Sequence, residues 1–295
     1  MLVVVAGGSG QLGQALSNQL ELAGLNFIAL DSKELDITDR HQVEKVIGEL
    51  SPTVVINAAA WTDVDSAESE PEKAFRVNKN GVSNLALASR QSKSTLVHLS
   101  TDYVFSGFLN SPNHEDTTVA PINVYGQSKA AGEREVAKIY SEGSFIVRTS
   151  WLYSEYGSNF VKTMCKIALD SQKSVKVVAN QLGQPTNANE LALQIIKLFQ
   201  SNASYGIYHG TNSGQTTWFD FAKEIFQMIG ADGNRIIPVT SDNFPRPAKR
   251  PENSVLGHDN WLREGLSPME HWKISLEKSF EKILESIERE KRIGN

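Results

Sequence analysis

The 295-residue sequence contains one cysteine, Cys165. That excludes an internal disulfide framework and suits a reducing compartment, so the cytoplasm is the expected location. Cys165 falls in an amphipathic helical pattern over 160–169 and reads as a packed core thiol rather than a reactive one. No apolar run reaches the roughly 18 residues that a membrane-spanning helix needs. The N-terminus opens on Leu2-Val3-Val4-Val5-Ala6, a buried-strand pattern without the basic leader of a signal peptide. Basic residues do not exceed acidic ones (29 Lys and Arg against 34 Asp and Glu, net charge −5), so no electropositive field marks a nucleic-acid partner. The histidines at 41, 98, 114, 209, 258 and 271 show no His-x-x-x-His or Cys/His ligand spacing, so no metal site is expected. Internal repeats and low-complexity tails are absent too.

What is present is an ordinary globular balance, 40% apolar and 21% charged, in a chain long enough for a large core and two lobes. Apolar strand patterns over 2–6, 27–30, 53–57, 95–100 and 145–149 alternate with helical patterns over 11–23, 40–50, 72–92 and 130–140. Strands apolar on both faces and separated by helices predict a parallel sheet covered on both sides. Beyond 149 the rhythm loosens. Strands are predicted over 175–178 and 206–211, and helices over 188–200, 217–229 (capped by Thr217) and 275–293. Residues 243–253 read as a loop with three prolines. The predicted fold is α/β: a Rossmann-like doubly wound parallel sheet with a smaller C-terminal α/β substrate domain. Residues 1–149 form the dinucleotide-binding part, and 150–295 mainly the substrate part, with crossovers back to the first.

Strand one runs into Gly7-x-x-Gly10-x-x-Gly13. Glycines allow a tight strand-to-helix turn and close backbone approach, and the following helix presents its N-terminus to a pyrophosphate. The alternative is a turn that only connects strand to helix. Asp31, at the end of strand two, suits the adenosine ribose hydroxyls of NAD, whereas Lys33 suits the 2′-phosphate of NADP; the two cues conflict. Asp36 and Ile37 suit an adenine edge and face, or else a capping turn before the helix at 40.

Downstream stand Ser100 and Thr101 at a strand end, then Tyr125 and, four residues on, Lys129. Positions four apart share a helix face. An ammonium beside a phenol lowers its pKa from about 10 towards neutrality. The tyrosine then protonates the oxygen that gains charge as hydride reaches carbon, and Thr101 or Ser100 hydrogen-bonds that oxygen. The glycine turn and this set together point to an NAD(P)-dependent enzyme acting on a carbonyl or alcohol.

The spacing resembles the extended short-chain dehydrogenase/reductases. Further segments narrow it: Gly-Gln-Leu-Gly at 10–13, Asn-Ala-Ala-Ala at 57–60, Ser-Thr-Asp-Tyr-Val-Phe at 100–105, Pro-x-Asn-Val-Tyr-Gly-x-x-Lys at 121–129, Arg-Thr-Ser-Trp-Leu-Tyr at 148–153 and Arg-Pro-x-Asn-Ser at 250–254. These are similar to the dTDP-4-dehydrorhamnose reductase family over nearly the whole chain. The resemblance implies reduction of the C4 ketone of dTDP-4-dehydro-L-rhamnose by NADPH or NADH, in the synthesis of a cell-surface polysaccharide sugar. It implies Thr101, Tyr125 and Lys129 as catalytic residues. Along the cofactor it implies Gly7, Gly10, Gln11, Leu12, Gly13, Asp31, Asp36, Ile37, Asn57, Ala58, Ala59, Ala60, Thr62, Asn78, Tyr125 and Lys129, the lysine on the nicotinamide ribose. Near the substrate it implies Thr101, Asp102, Tyr103, Tyr125, Trp151 and Arg250. Some members hold magnesium at a dimer interface through an acid after the glycine turn. Here that stretch reads Gln14-Ala15, with only Glu190 matching, so the expectation is against that magnesium site.

Trp151 suits stacking on a sugar, covering nicotinamide, or core packing. Arg250, with Arg246 and Lys249 in the proline-held loop, suits a diphosphate or a solvated charge cluster. The rival readings are a reductase or epimerase of another nucleotide-linked sugar, and a non-catalytic dinucleotide-binding regulatory subunit. A dehydratase is disfavoured because Tyr103 stands where its companion Glu would follow Asp102. Homodimer is the expected assembly, with no nucleic-acid or membrane partner.

Overall fold

The computed structural model describes residues 1–170 and 174–293. The first half runs β1 (Leu2–Ala6), α1 (Gln11–Leu22), β2 (Asn26–Leu30), α2 (Arg40–Leu50), β3 (Val54–Asn57), α3 (Val64–Ser69), α4 (Pro71–Phe75), α5 (Val82–Ser92), β4 (Thr95–Thr101), α6 (Val124–Tyr140) and β5 (Ser144–Thr149). The second half adds β6 (Leu152–Tyr153), α7 (Phe160–Asp170), β7 (Val175–Val178), β8 (Leu182–Gly183), β9 (Thr186–Asn187), α8 (Ala188–Gln200), β10 (Gly206–His209), β11 (Asn212–Ser213), β12 (Thr216–Thr217), α9 (Trp218–Ile229), β13 (Ile236–Val239), α10 (Asp259–Arg263), β14 (Met269–His271) and α11 (Trp272–Ile293).

A six-stranded sheet, all parallel, has the order β2-β1-β3-β4-β5-β10. The two-residue period of a strand explains its layers. Val3 and Val5 face Leu12 and Leu16 of α1 and Leu191 and Ile195 of α8. Val4 and Ala6 face Val43 and Ile47 of α2 and Leu85 of α5. All of these are nearly inaccessible to solvent, and each fully buried aliphatic side chain contributes about 1.5–3 kcal/mol. Sheet order reverses at β1, so the crevice beyond the carboxyl ends of β1 and β3 is where this architecture binds ligands.

The second half is not a separate layer. β10 lies beside β5 as the sixth strand, with His209 opposite Arg148, and α8 packs on the β1 face. A second core gathers Tyr153, Met164, Cys165, Phe221, Phe226 and Phe280 from β6, α7, α9 and α11. Burial there pushes the Cys165 thiol up to about 12, which leaves it protonated and inert. Thr217 caps α9, its hydroxyl accepting from Asp220 N.

The pattern over 72–92 predicts one helix. The structure breaks it at a wider helical turn, Arg76–Gly81, between α4 and α5. Such turns are uncommon and often lie at functional sites. Asn78 within it ties the turn to other segments: its Oδ1 accepts from Trp61 N, and its Nδ2 donates to Trp61 O and Ser128 Oγ. Among the described residues no helix is long and apolar enough to cross a membrane.

Candidate active site

The three glycines after β1 do different work. Gly7 has φ +83°, and a Cβ there would stand 2.6 Å from Ala59 N. A Cβ on Gly13 would stand 2.2 Å from Gly7 O, so only glycine lets α1 seat against the turn. A Cβ on Gly10 would meet nothing nearer than Gly7 O at 3.2 Å. Gly10 therefore leaves space on the cleft side. It also caps α1 without a side-chain hydrogen bond, and the first turn holds no acid. Open amides, a positive helix end and no carboxylate fit an anionic pyrophosphate. Gly10→Ala is accordingly expected to leave the melting temperature nearly unchanged and to weaken NADPH by roughly tenfold or more, since the new methyl stands between those amides and the phosphates. A fluorescence titration checks it.

A cleft of about 780 Å³ opens from this turn. Its walls come from the ends of β1, β3, β4 and β5, and its floor includes Thr101, Tyr125 and Lys129. The helix expected to run from the Tyr125/Lys129 segment through 130–140 is α6, and Asn123 caps it by accepting from Gly126 N at 2.7 Å. A Cβ on Gly126 would stand 2.1 Å from Tyr103 O, so the glycine beside Tyr125 brings α6 against the end of β4.

Thr101 is a hub: its hydroxyl donates to Asp102 Oδ1 at 3.0 Å and accepts from Tyr103 N at 3.2 Å. Ser100, the alternative hydroxyl, is committed elsewhere, donating to Glu133 Oε1 at 2.5 Å. Burial raises the Asp102 carboxyl to about 6, while the nearby Ser254 and Thr101 hydroxyls pull it down. Tyr103 packs edge-on against Tyr125, ring centres 5.8 Å apart. Burial pushes the Tyr125 phenol up to about 12, with the Thr101 hydroxyl opposing. Lys129 Nζ donates to Leu99 O at 2.6 Å, and burial draws the ammonium down to about 8, with Glu133 opposing. The expected lowering of Tyr125 by Lys129 does not operate in the protein alone: burial and the Asp102 charge raise the phenol, and the influence that opposes them is the Thr101 hydroxyl.

Gly7, Gly10, Gln11, Leu12, Asp36, Ile37, Ala58, Ala59, Ala60, Thr62, Asp102, Tyr103 and Trp151 also line the cleft. Five anticipated residues, Asn57 among them, stand back from it. Gly13 lies behind the turn. Asp31 Oδ1 accepts from Lys33 N and Glu34 N within its own turn, leaving Ser32 at the wall. Asn78 braces Trp61 rather than facing the cleft. Arg250 is held in a two-pronged pair with Asp65, Nη1 to Oδ1 at 2.5 Å and Nη2 to Oδ2 at 2.9 Å. The cap before α2 is Asp39, and Asp36 lines the wall while its Oδ1 accepts from Thr38 N and Thr38 Oγ1. Asn57 Oδ1 accepts from Ala59 N and shapes the loop after β3.

Trp218 was not legible beforehand. Its ring stacks on Trp151 at 3.6 Å and 13°. Trp151 has φ +45°, a rare conformation for so large a residue, and β8 passes closely enough that a Cβ on Gly183 would stand 2.5 Å from the indole. His98 and His209, both fully buried, are held neutral by desolvation. Among the described residues no three His, Cys, Asp or Glu are grouped to hold a metal, and Glu190 accepts from Asn212 Nδ2.

The RmlD substrate binding domain family matches residues 1–285. The chain is 44% identical to dTDP-4-dehydrorhamnose reductase of Streptomyces griseus, over 94% of this chain and 92% of the relative. It is 42% identical to dTDP-4-keto-6-deoxy-D-glucose reductase of Streptomyces niveus, over 94% and 96%. A solved structure of dTDP-4-dehydrorhamnose reductase from Bacillus anthracis, in complex with NADP, superposes with TM-score 0.91 at 40% identity, over 95% of this chain and 98% of that one. With a turn built for a dinucleotide and these relatives across its length, the chain belongs to the RmlD substrate binding domain family.

Proposed function

We infer that this chain is an NAD(P)H-dependent dTDP-4-dehydrorhamnose reductase, which reduces the C4 ketone of dTDP-4-dehydro-L-rhamnose to dTDP-L-rhamnose. The observation that carries the reading is the convergence of Thr101, Tyr125 and Lys129 on the cleft that opens from the glycine turn. NAD(P)H, when bound, supplies the hydride to C4. Tyr125 donates its phenol proton to the C4 oxygen. At neutral pH the phenol is fully protonated, because burial holds it at about 12, so the donor is ready before reaction. Lys129, one helical turn along, keeps a positive charge beside the phenolate left behind. Thr101 orients the C4 oxygen by turning its one hydroxyl proton to it from Asp102 Oδ1, which accepts that proton in the protein alone. Tyr103 and the Trp151–Trp218 stack form the apolar wall for the 6-deoxy sugar. The 1–149 part holds the cofactor and the 150–295 part mainly the sugar nucleotide, with α8 and β10 crossing back. A homodimer in the cytoplasm is the setting we favour, with the buried thiol Cys165 consistent with it.

The deciding experiment follows NADPH absorbance with purified protein and dTDP-4-dehydro-L-rhamnose. Net stoichiometric NADPH oxidation supports the reductase. Interconversion without net oxidation supports an epimerase, and NADPH binding without turnover supports a regulatory subunit. The Streptomyces niveus relative favours one second reading, reduction of the D-glucose counterpart; running both sugars side by side separates the two.

Arg250 adds a prediction. It ties the proline-held loop to α3 through Asp65, and its guanidinium lies close to Tyr103. Arg250→Ala is expected to raise the sugar-nucleotide KM by roughly tenfold, in line with a charge-assisted contact of ~1.5–3 kcal/mol, with little change in kcat or NADPH affinity. If Arg250 serves the diphosphate itself, Asp65→Asn frees it and lowers KM. If the pair only fixes the loop, both substitutions raise KM. Weaker NADPH binding with an unchanged sugar KM would assign the loop to the other ligand.

A further inference from the structure

The groups of the site sit on separate elements: Tyr125 and Lys129 on α6, Thr101 at the end of β4, and the Thr149–Trp151 wall at the end of β5. One carboxylate ties those elements together. Glu133 follows Lys129 by four residues, so the two share a face of α6. Glu133 Oε1 accepts from Ser100 Oγ at 2.5 Å and Arg148 Nε at 2.9 Å; Oε2 accepts from Arg148 Nη2 at 2.8 Å. Glu133 is 5% exposed and Arg148 1%. The guanidinium also reaches Glu115 O and His209 and lies over the Phe105 ring. A fully buried ion pair is a poor source of stability, because apolar residues of similar volume do as well or better. Its location next to Thr101 and Lys129 supplies another reason for it.

We propose that Glu133, clamped by Arg148, is a positioning residue of the reductase: it locks the Tyr125–Lys129 face of α6 onto the Ser100–Thr101 end of β4. The inference rests on the reductase reading. Its charge has a second consequence. The groups facing Lys129 are Tyr125 and Glu133 on its own helix and His98 on β4, which burial holds neutral; Arg148 on β5 offsets part of the Glu133 charge. Among the described residues Glu133 is therefore the one anion that favours a charged Lys129, and removing it lets the lysine lose its proton at lower pH.

The test uses the full chain with Glu133→Gln, the pair Glu133→Gln with Arg148→Met, and Ser100→Ala. Two profiles are read against pH: kcat, and NADPH affinity by fluorescence, which needs no turnover. Glu133→Gln is expected to lower kcat by roughly 10–100-fold, the cost of a small misplacement of reacting groups, with sugar-nucleotide KM within about threefold. It also moves the alkaline limb of both profiles to lower pH. The double variant removes the orphaned guanidinium and recovers thermal stability, yet keeps the displaced limb and low kcat. Ser100→Ala keeps the ion pair, so it lowers kcat without moving the limb. A double variant with wild-type kcat and wild-type pH profiles makes the pair a structural filler and overturns the proposal. If the wild type itself binds NADPH but turns over neither sugar, the reductase reading is what fails, and an unmoved NADPH-affinity limb would separately overturn the charge effect.

Discussion

Tyr125→Phe is expected to lower kcat by roughly 10²–10⁴-fold, the usual contribution of a general acid, with NADPH affinity nearly unchanged. The ring stays in place, since its edge contact with Tyr103 does not involve the hydroxyl. What goes is a proton donor that acts only as the C4 oxygen gains charge, so the loss falls on kcat rather than on ground-state binding. The pH dependence distinguishes this donor from one tuned to neutrality. Burial holds the phenol at about 12, so it stays protonated throughout the ordinary pH range and does not limit reduction there. Lys129, drawn down to about 8, loses its proton on the alkaline side of that range, whereas Asp102, raised to about 6, titrates on the acid side. Reduction by the wild type is therefore expected to decline above about pH 8 as the ammonium is lost, and not near pH 6 or 7. Stopped-flow turnover across pH 5–10 measures both points. A Tyr125→Phe protein that turns over within about a factor of two of wild type removes Tyr125 from the mechanism.

How much of this site the sequence carried depends on the range of each interaction. The glycine turn was legible because Gly7, Gly10 and Gly13 act on each other and on β1 within one short segment. Tyr125 and Lys129 were legible because one helical turn brings them to one face. The sheet was legible because strands apolar on both faces have only one kind of environment to occupy. Contacts between distant segments left no local mark. Nothing around Glu133 announces Arg148, and nothing around Asp65 announces Arg250. Trp151 in a left-handed conformation contradicts its own propensity and persists because Trp218 and the passing Gly183 hold it. The strand at 206–209 was foreseen, but not that it completes the central sheet, because a short apolar run does not say which edge it joins. The 72–92 pattern concealed the wider turn at Arg76–Gly81 because the partners that Asn78 holds there, Trp61 and Ser128, lie in other segments. The Tyr125 reading erred for a related reason. Spacing shows which charge is near, whereas desolvation depends on everything packed around the phenol.

Lys129→Met is expected to make the cofactor-free protein more stable near neutral pH while removing most of its activity. The sign follows from the folded-state value of about 8, below the ordinary 10.5. Between these two values the unfolded chain binds more protons than the native one, so wild-type stability rises with pH across that window. Below about pH 8 both states carry the ammonium, and the full cost of burying it is present. That displacement corresponds to about 3 kcal/mol at ~1.4 kcal/mol per pH unit. Methionine has similar length and no charge, so it relieves this cost, but it also loses the hydrogen bond to Leu99 O, worth ~1 kcal/mol. The net gain at pH 7 is about 2 kcal/mol, visible as a rise of a few degrees in melting temperature. From pH 8 to 10 the wild type should close part of that gap, because its own lysine becomes neutral and the variant has none to titrate. Function moves the other way. Without the ammonium the phenolate left by Tyr125 has no cation beside it, so kcat should fall by about 10² or more, and NADPH affinity should fall as well. Denaturant melts at pH 7 and pH 10, with NADPH titrations on the same samples, read out both halves. A variant that is less stable than wild type at pH 7 would show that Lys129 is not strained by burial. One that keeps wild-type turnover and NADPH affinity would remove the lysine from the site.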